Sequence, residues 1–304
     1  MTKTIALVIY LLALTQVNAC INEYVTTLKG EVTFTEGYGW KLERKEIDTV
    51  KLSLKANSLL ASYKRSDSLE YYSDYGAVLI YLGDYQKAKN VYEAIEKMSP
   101  NLYTTASNLG TIYELIGKPD SALFWIKKSM ELNSESHFGS EWIHVKLLEF
   151  KISGSQNLSQ SLLGLDFGNG KIPVNRHKYD LRQLQRHLWH QLEERTKLVP
   201  PKDQIVGNLY FDMGNILAQV HSVEAALACY EAAKEYGFES KLMDSRIEAF
   251  EKLADRADSY RAREKMKRFV GDHFLAVFLF LSVSGIGVSY LVFRLLRRRK
   301  RKKG

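Results

Sequence analysis

The sequence predicts a mainly α-helical protein: a solenoid of helix-turn-helix repeats, broken by an inserted segment and followed by one C-terminal transmembrane helix. Three observations carry this. Two segments repeat at a spacing of 34 between residues 69 and 136, and a third copy returns after residue 203. The stretches on either side keep apolar residues at a helical period. Residues 274–293 form a run of 20 without a charge, long enough at about 1.5 Å per residue to cross a hydrocarbon layer of about 30 Å.

Length and charge narrow the classes. A chain of 304 residues with 45% hydrophobic residues has room for one large or two ordinary domains. The net charge of +8 is concentrated in the tail 294–304, where Arg294, Arg297, Arg298, Arg299, Lys300, Arg301, Lys302 and Lys303 meet no acid. Without those eight, the 43 Lys and Arg fall to 35, equal to the 35 Asp and Glu. A nucleic-acid footprint over the folded part is therefore excluded as an expectation.

The N-terminus opens with Lys3, an apolar run Ile5 to Leu14 and then Val17-Asn18-Ala19, the pattern of a secretory signal peptide over residues 1–19. Cleavage after Ala19 leaves Cys20 first, the position a bacterial lipoprotein acylates. Val17 and Asn18 depart from that recognition pattern, so ordinary cleavage is expected. Residues 20–45 read as an extended arm, with Val32 and Phe34 alternating against polar neighbours as in a short half-buried strand. From residue 46 a helix is predicted through Ile47, Val50, Leu54 and Ala61, with Leu52, Leu59 and Leu60 beside them; it is expected to pack on the first repeat.

The repeats follow. The first reads Tyr72-x2-Tyr75-Gly76-x2-Leu79, Ala88-x3-Tyr92 and Pro100 within 69–102; the second reads Ala106-x2-Leu109-Gly110-x2-Tyr113, Ala122-x3-Ile126 and Ser134 within 103–136. Small residues belong where two helices approach most closely, which assigns Gly76 and Ala88 to a crossing. Residues 137–152 continue the register with one helix, but His144 stands in the glycine slot and no Ala-x3-aromatic follows. The close crossing is not expected there. The insertion 153–202 carries loop, a short strand near Ile172 to Tyr179 and a helix from Asp180 to Lys197. The third complete unit, 203–240, reads Tyr210-x2-Met213-Gly214-x2-Leu217 and Ala226-x3-Tyr230, with the same separation of 12 from glycine to alanine as the other two. Residues 241–271 read as a capping helix, 272–293 as the membrane span, and 294–304 as a basic tail. By the positive-inside rule the tail is cytoplasmic and the repeats lie across the membrane, where a signal peptide would deliver them.

These residues resemble the tetratricopeptide repeat, whose signature holds Leu-Gly, Tyr and Ala-x3-Phe at such spacings. The layout is similar to that of exported bacterial repeat proteins with a C-terminal anchor. The resemblance implies a scaffold whose first helices line a concave groove for a protein or peptide partner. By register the groove positions are Ser73, Ala77 and Ile80, then Ser107, Thr111 and Glu114, then Phe211, Asn215 and Ala218. Relatives that clamp acidic peptide tails use Lys, Arg and Asn there. This chain has Asn108 and Asn215 nearby but no Lys or Arg among those positions, which points to a polar or apolar ligand.

No chemistry beyond binding is legible. Gly164 to Lys171 has five residues between Gly164 and Gly170-Lys171 and then Ile172, which is not a phosphate loop. Asp166-Phe167-Gly168 has no catalytic loop to serve. His187, His190 and Glu194 share a helical face but lack a further placed ligand, so no metal, cofactor or enzymatic role is expected. Cys229 reads as a small core residue. An envelope enzyme with its site in 153–201 and a self-associating structural protein remain as alternatives, the latter through the repeats or through Gly285 and Ser289 of the span.

Overall fold

The computed structural model describes residues 22–36, 47–155, 158 and 160–274. The signal segment, Cys20, the proposed membrane span and the basic tail lie outside the described residues. Among the described residues no helix is long and apolar enough to cross a membrane.

Ten α-helices and one hairpin are present among those residues. The hairpin pairs β1 (Asn22–Thr26) with β2 (Val32–Glu36), antiparallel, Tyr24 opposite Phe34. The helices are α1 (Thr49–Ser66), α2 (Leu69–Tyr81), α3 (Tyr85–Met98), α4 (Tyr103–Leu115), α5 (Pro119–Leu132), α6 (Glu141–Ser153), α7 (Leu181–Leu198), α8 (Gln204–Val220), α9 (Val223–Glu235) and α10 (Lys241–Asp272). A 3₁₀ turn, Ser136–Gly139, precedes α6.

Three antiparallel pairs, α2/α3, α4/α5 and α8/α9, share one crossing. A Cβ on Gly76 would stand 2.7 Å from Tyr92, on Gly110 2.4 Å from Ile126, and on Gly214 2.4 Å from Tyr230. Each glycine thus meets the side chain sixteen residues further on, the last slot of the Ala-x3-aromatic pattern. Ala88, Ala122 and Ala226 are fully buried beside these contacts. The turns are closed by Gly83 at φ 80° and Gly117 at φ 74°, a backbone region where a side chain is strained. Pro119 begins α5, where a missing N–H is harmless.

The middle unit is looser. α6 packs on α5, and α7 packs on α8. His144 in the crossing slot is too large for the close approach made by glycine elsewhere. The helix α7 supplied by the insertion takes the place of the missing second helix. The strand expected near Ile172 to Tyr179 is corrected: those residues form turns and irregular chain, held by Val174 N–H donating to the Phe167 carbonyl at 3.0 Å.

Both flanks also differ from expectation. The stripe Ile47, Val50 and Leu54 of α1 faces solvent, with Val50 71% and Leu54 67% exposed. The face turned to α2 carries Ala56, Leu52, Leu59 and Leu60. The predicted extended arm is in part the hairpin, and it packs at the opposite end of the stack, on α9 and α10. Both oxygens of Glu224, in the first turn of α9, accept from Thr26 N–H at 3.0 and 2.9 Å, and Tyr24 meets Tyr260 edge-on. Phe34, expected half-buried, is 61% exposed. The first half of α10 buries Met243, Arg246 and Phe250; from Asp255 onward it projects into solvent.

Candidate functional site

The concave side of α2, α4, α6 and α7 encloses a cavity of about 250 Å³. Its floor is α4. Successive turns present Ser107, Asn108, Thr111 and Glu114 to one side because positions three and four apart share a helix face. Ala77, Ile80 and Tyr81 of α2 form one wall, and His190, Gln191, Glu194, Arg195 and Leu198 of α7 form the other.

One buried charge cluster joins these helices. Glu114 Oε1 accepts from Arg195 at 2.9 Å and from Lys151 at 2.7 Å; Oε2 accepts from His144 Nε2 at 2.6 Å and from the second Arg195 nitrogen at 3.4 Å. The other ring nitrogen of His144 lies 3.5 Å from Glu141, which also accepts from His137. Burial pushes the Glu114 carboxyl up, but Arg195, His144 and Lys151 together hold it well below the usual range. Burial raises Glu141 likewise, and the hydrogen bonds from His137 and His144 more than reverse that. Burial opposes a charge on His144, yet Glu114 and Glu141 lift it above its ordinary value. The hydrogen bond to Glu141 does the same for His137. Two carboxylates and four cationic groups thus satisfy one another, as a buried cluster must.

The rest of the wall remains for a ligand. Asn108 donates to the Tyr92 hydroxyl at 2.8 Å, and that hydroxyl donates to the Ser73 carbonyl at 2.7 Å. The Asn108 side chain is thereby oriented with its carboxamide oxygen left over. His190 stacks on His137 at 4.6 Å, has Nε2 buried without a partner among the described residues, and is kept below its ordinary pKa first by burial and then by His137. Apolar surface comes from Ile80, Leu115, Leu198 and Val199.

Of the positions assigned by register, Ala77, Ile80, Ser107, Asn108, Thr111 and Glu114 come together in this cavity. Ser73 does not line it and contributes its carbonyl to Tyr92. Phe211, Asn215 and Ala218 are corrected: they are buried beneath the inserted segment, with Asn215 Oδ1 accepting from Tyr230 at 2.7 Å and from Arg246. The cationic group that the α2 and α4 positions lack enters from α7 as Arg195, which register could not place because it comes from the insertion. His187 and His190 face different neighbours. His187 Nδ1 accepts from Trp142 at 2.9 Å. No metal-binding group of three or more ligands occurs among the described residues. Cys229 lies fully buried in the core, its thiol pushed up by burial.

A family model described as Tetratricopeptide repeat matches residues 69–102, the α2/α3 pair. Among solved structures, a tetratricopeptide repeat protein from Parabacteroides merdae ATCC 43184 is 15% identical, over 67% of this chain and 93% of that one, with a TM-score of 0.31. BtubC (BKLC) from P. vanneervenii is 15% identical over 74% and 93%, with a TM-score of 0.30. Scores this low add nothing to the repeat match. No curated protein matches the sequence.

Proposed function

Starting from a tetratricopeptide-repeat protein, we propose an extracytoplasmic scaffold, anchored by one C-terminal helix, that holds a polypeptide partner in the cavity between α2, α4 and α7. The observation that carries the reading is the composition of that cavity. Its charges are mutually satisfied, while Asn108, Ser107, Thr111, His190 and an apolar rim remain turned inward. Such a surface suits a main chain with polar and apolar side chains better than a strongly ionic ligand, because each buried ionic group already has its counter-charge. A preformed groove lowers the ordering cost of association, and confinement to a membrane raises local concentration.

The anchor is supported by the uncharged run 274–293, which continues directly from α10, and by the eight basic residues after it. The signal-type N-terminus favours the same side for the repeats. Affinity capture from native membranes tests the proposal, comparing the full chain with Thr111→Trp, which fills the cavity from its floor. A partner recovered with wild type and lost with the filled variant is the expected result. Equal recovery by both would end the reading.

A further inference from the structure

The concave face does not stop at the cavity; it continues on α8, where it is already occupied. Matching Gly214 to Gly110 places Asn208, Asp212, Asn215 and Gln219 of α8 where Thr104, Asn108, Thr111 and Leu115 of α4 line the open cavity. Over that α8 face lies the inserted chain between residues 158 and 175. Asn208 grips its backbone from both sides: Oδ1 accepts from Leu162 N–H at 2.9 Å, and Nδ2 donates to the carbonyls of Leu158 and Gln160 at 3.2 and 2.8 Å. Gln219 accepts from Asn175 N–H at 3.0 Å, and Asp212 accepts from the Ser161 hydroxyl at 2.6 Å. Arg246 of α10 reaches the carbonyls of Phe167, Gly168 and Gly170. Leu163 and Phe167 fill apolar space beside these bonds.

Two features set this contact apart from an ordinary core. Most of its hydrogen bonds go to main-chain atoms, so it recognises an extended polypeptide rather than particular side chains. A helix buried on every side, as α8 is, is expected to be apolar all round. Here Asn208, Asp212, Asn215 and Gln219 form a polar stripe along one face of it. The stripe is incompletely satisfied: Asp212 Oδ1 is buried with no hydrogen-bond partner among the described residues.

We infer that the segment 158–175 is a displaceable intramolecular occupant of a second polypeptide-binding face on α8. It confines an external partner to the α2, α4 and α7 half, and an extended segment from another chain takes its place when it lifts. The inference rests on reading the α4 cavity as a polypeptide site. Its test needs no external partner, so the two can fail separately. Hydrogen exchange on the full chain in detergent is expected to release the Leu162 and Asn175 amides together, at least about tenfold faster than the Met213 and Leu217 amides inside α8, through a local opening. Equal rates would make the segment a permanent part of the core and overturn the inference. A labelled peptide copying residues 158–170 supplies the second readout. Ser161→Asp sets a carboxylate against Asp212 and loosens the chain's own segment, so the peptide is expected to bind this variant about tenfold more tightly than wild type. Equal binding to both proteins would overturn it as well.

Discussion

Replacing Glu114 by Gln tests what attaches the insertion helix to the repeats. The change keeps the shape of the side chain and removes the only carboxylate that reaches Arg195. Arg195 has a side chain 9% exposed, whereas Lys151, at 29%, can swing into water. His144 loses its nearer carboxylate and can discharge by giving up its proton. The uncompensated group is therefore Arg195, and removing one partner of a buried pair costs about 3–5 kcal/mol. The lower end applies, since two of the three cations have an escape, so Glu114→Gln is expected to lose about 3 kcal/mol. Urea unfolding of the full chain in detergent at pH 7, followed by tryptophan fluorescence from Trp125, Trp142 and Trp189, measures it. Adding Arg195→Met should return most of the loss, because the stranded charge is then gone. A loss under about 1 kcal/mol for Glu114→Gln, or no recovery in the double variant, would refute the idea that this ion cluster holds α7 against α4.

Three further outcomes follow from the same structure. Gly110→Ala puts a methyl 2.4 Å from Ile126 Cδ1, and overpacking of this kind costs about 1–3 kcal/mol; Ile126→Val removes that atom and should recover part of it in a thermal melt. Burial lifts the Asp212 carboxyl to about 7. Because its folded value is raised, the fold is favoured at low pH and loses stability as pH climbs from about 4 to about 7, with no further change above; Asp212→Asn should flatten that stretch of a stability-versus-pH curve, and an unchanged slope would count against the assignment. In the α4 to α7 cluster the signs divide. The raised His137 and His144 contribute stability that is complete below the ordinary histidine value and fades as pH rises through their folded values, while the lowered Glu114 and Glu141 contribute stability that fades as pH falls below the ordinary glutamate range. In an Asp212→Asn background the stability maximum should therefore sit at mildly acidic pH, and Glu114→Gln should reduce both flanks.

The repeat architecture was readable because each close crossing needs a residue with no side chain at one fixed place, and Gly76, Gly110 and Gly214 mark it. Half of the cavity was readable for the same reason, since Ser107, Thr111 and Glu114 follow from Gly110 by helical register. What lay beyond register was not. Arg195 and His190 arrive on a helix inserted far from the repeat spacing. Phe211 and Asn215 hold groove positions in their own unit, but chain that no periodicity describes lies over them. In α1 two apolar stripes compete, Ile47, Val50, Leu54 and Leu52, Ala56, Leu59; a periodic pattern identifies a helix without saying which stripe is covered. The hairpin's place beside α10 depends on Glu224 meeting Thr26 across most of the chain, a contact with no local trace.

The proposal that the α4 cavity is where the partner sits is tested most directly by photo-crosslinking from single positions in native membranes. A photoreactive residue at Thr111, inside the cavity, should give a discrete adduct with a second polypeptide. The same residue at Phe124, 62% exposed on α5 and not among the residues lining the cavity, should give none. Adducts from Phe124 with Thr111 silent would contradict the account.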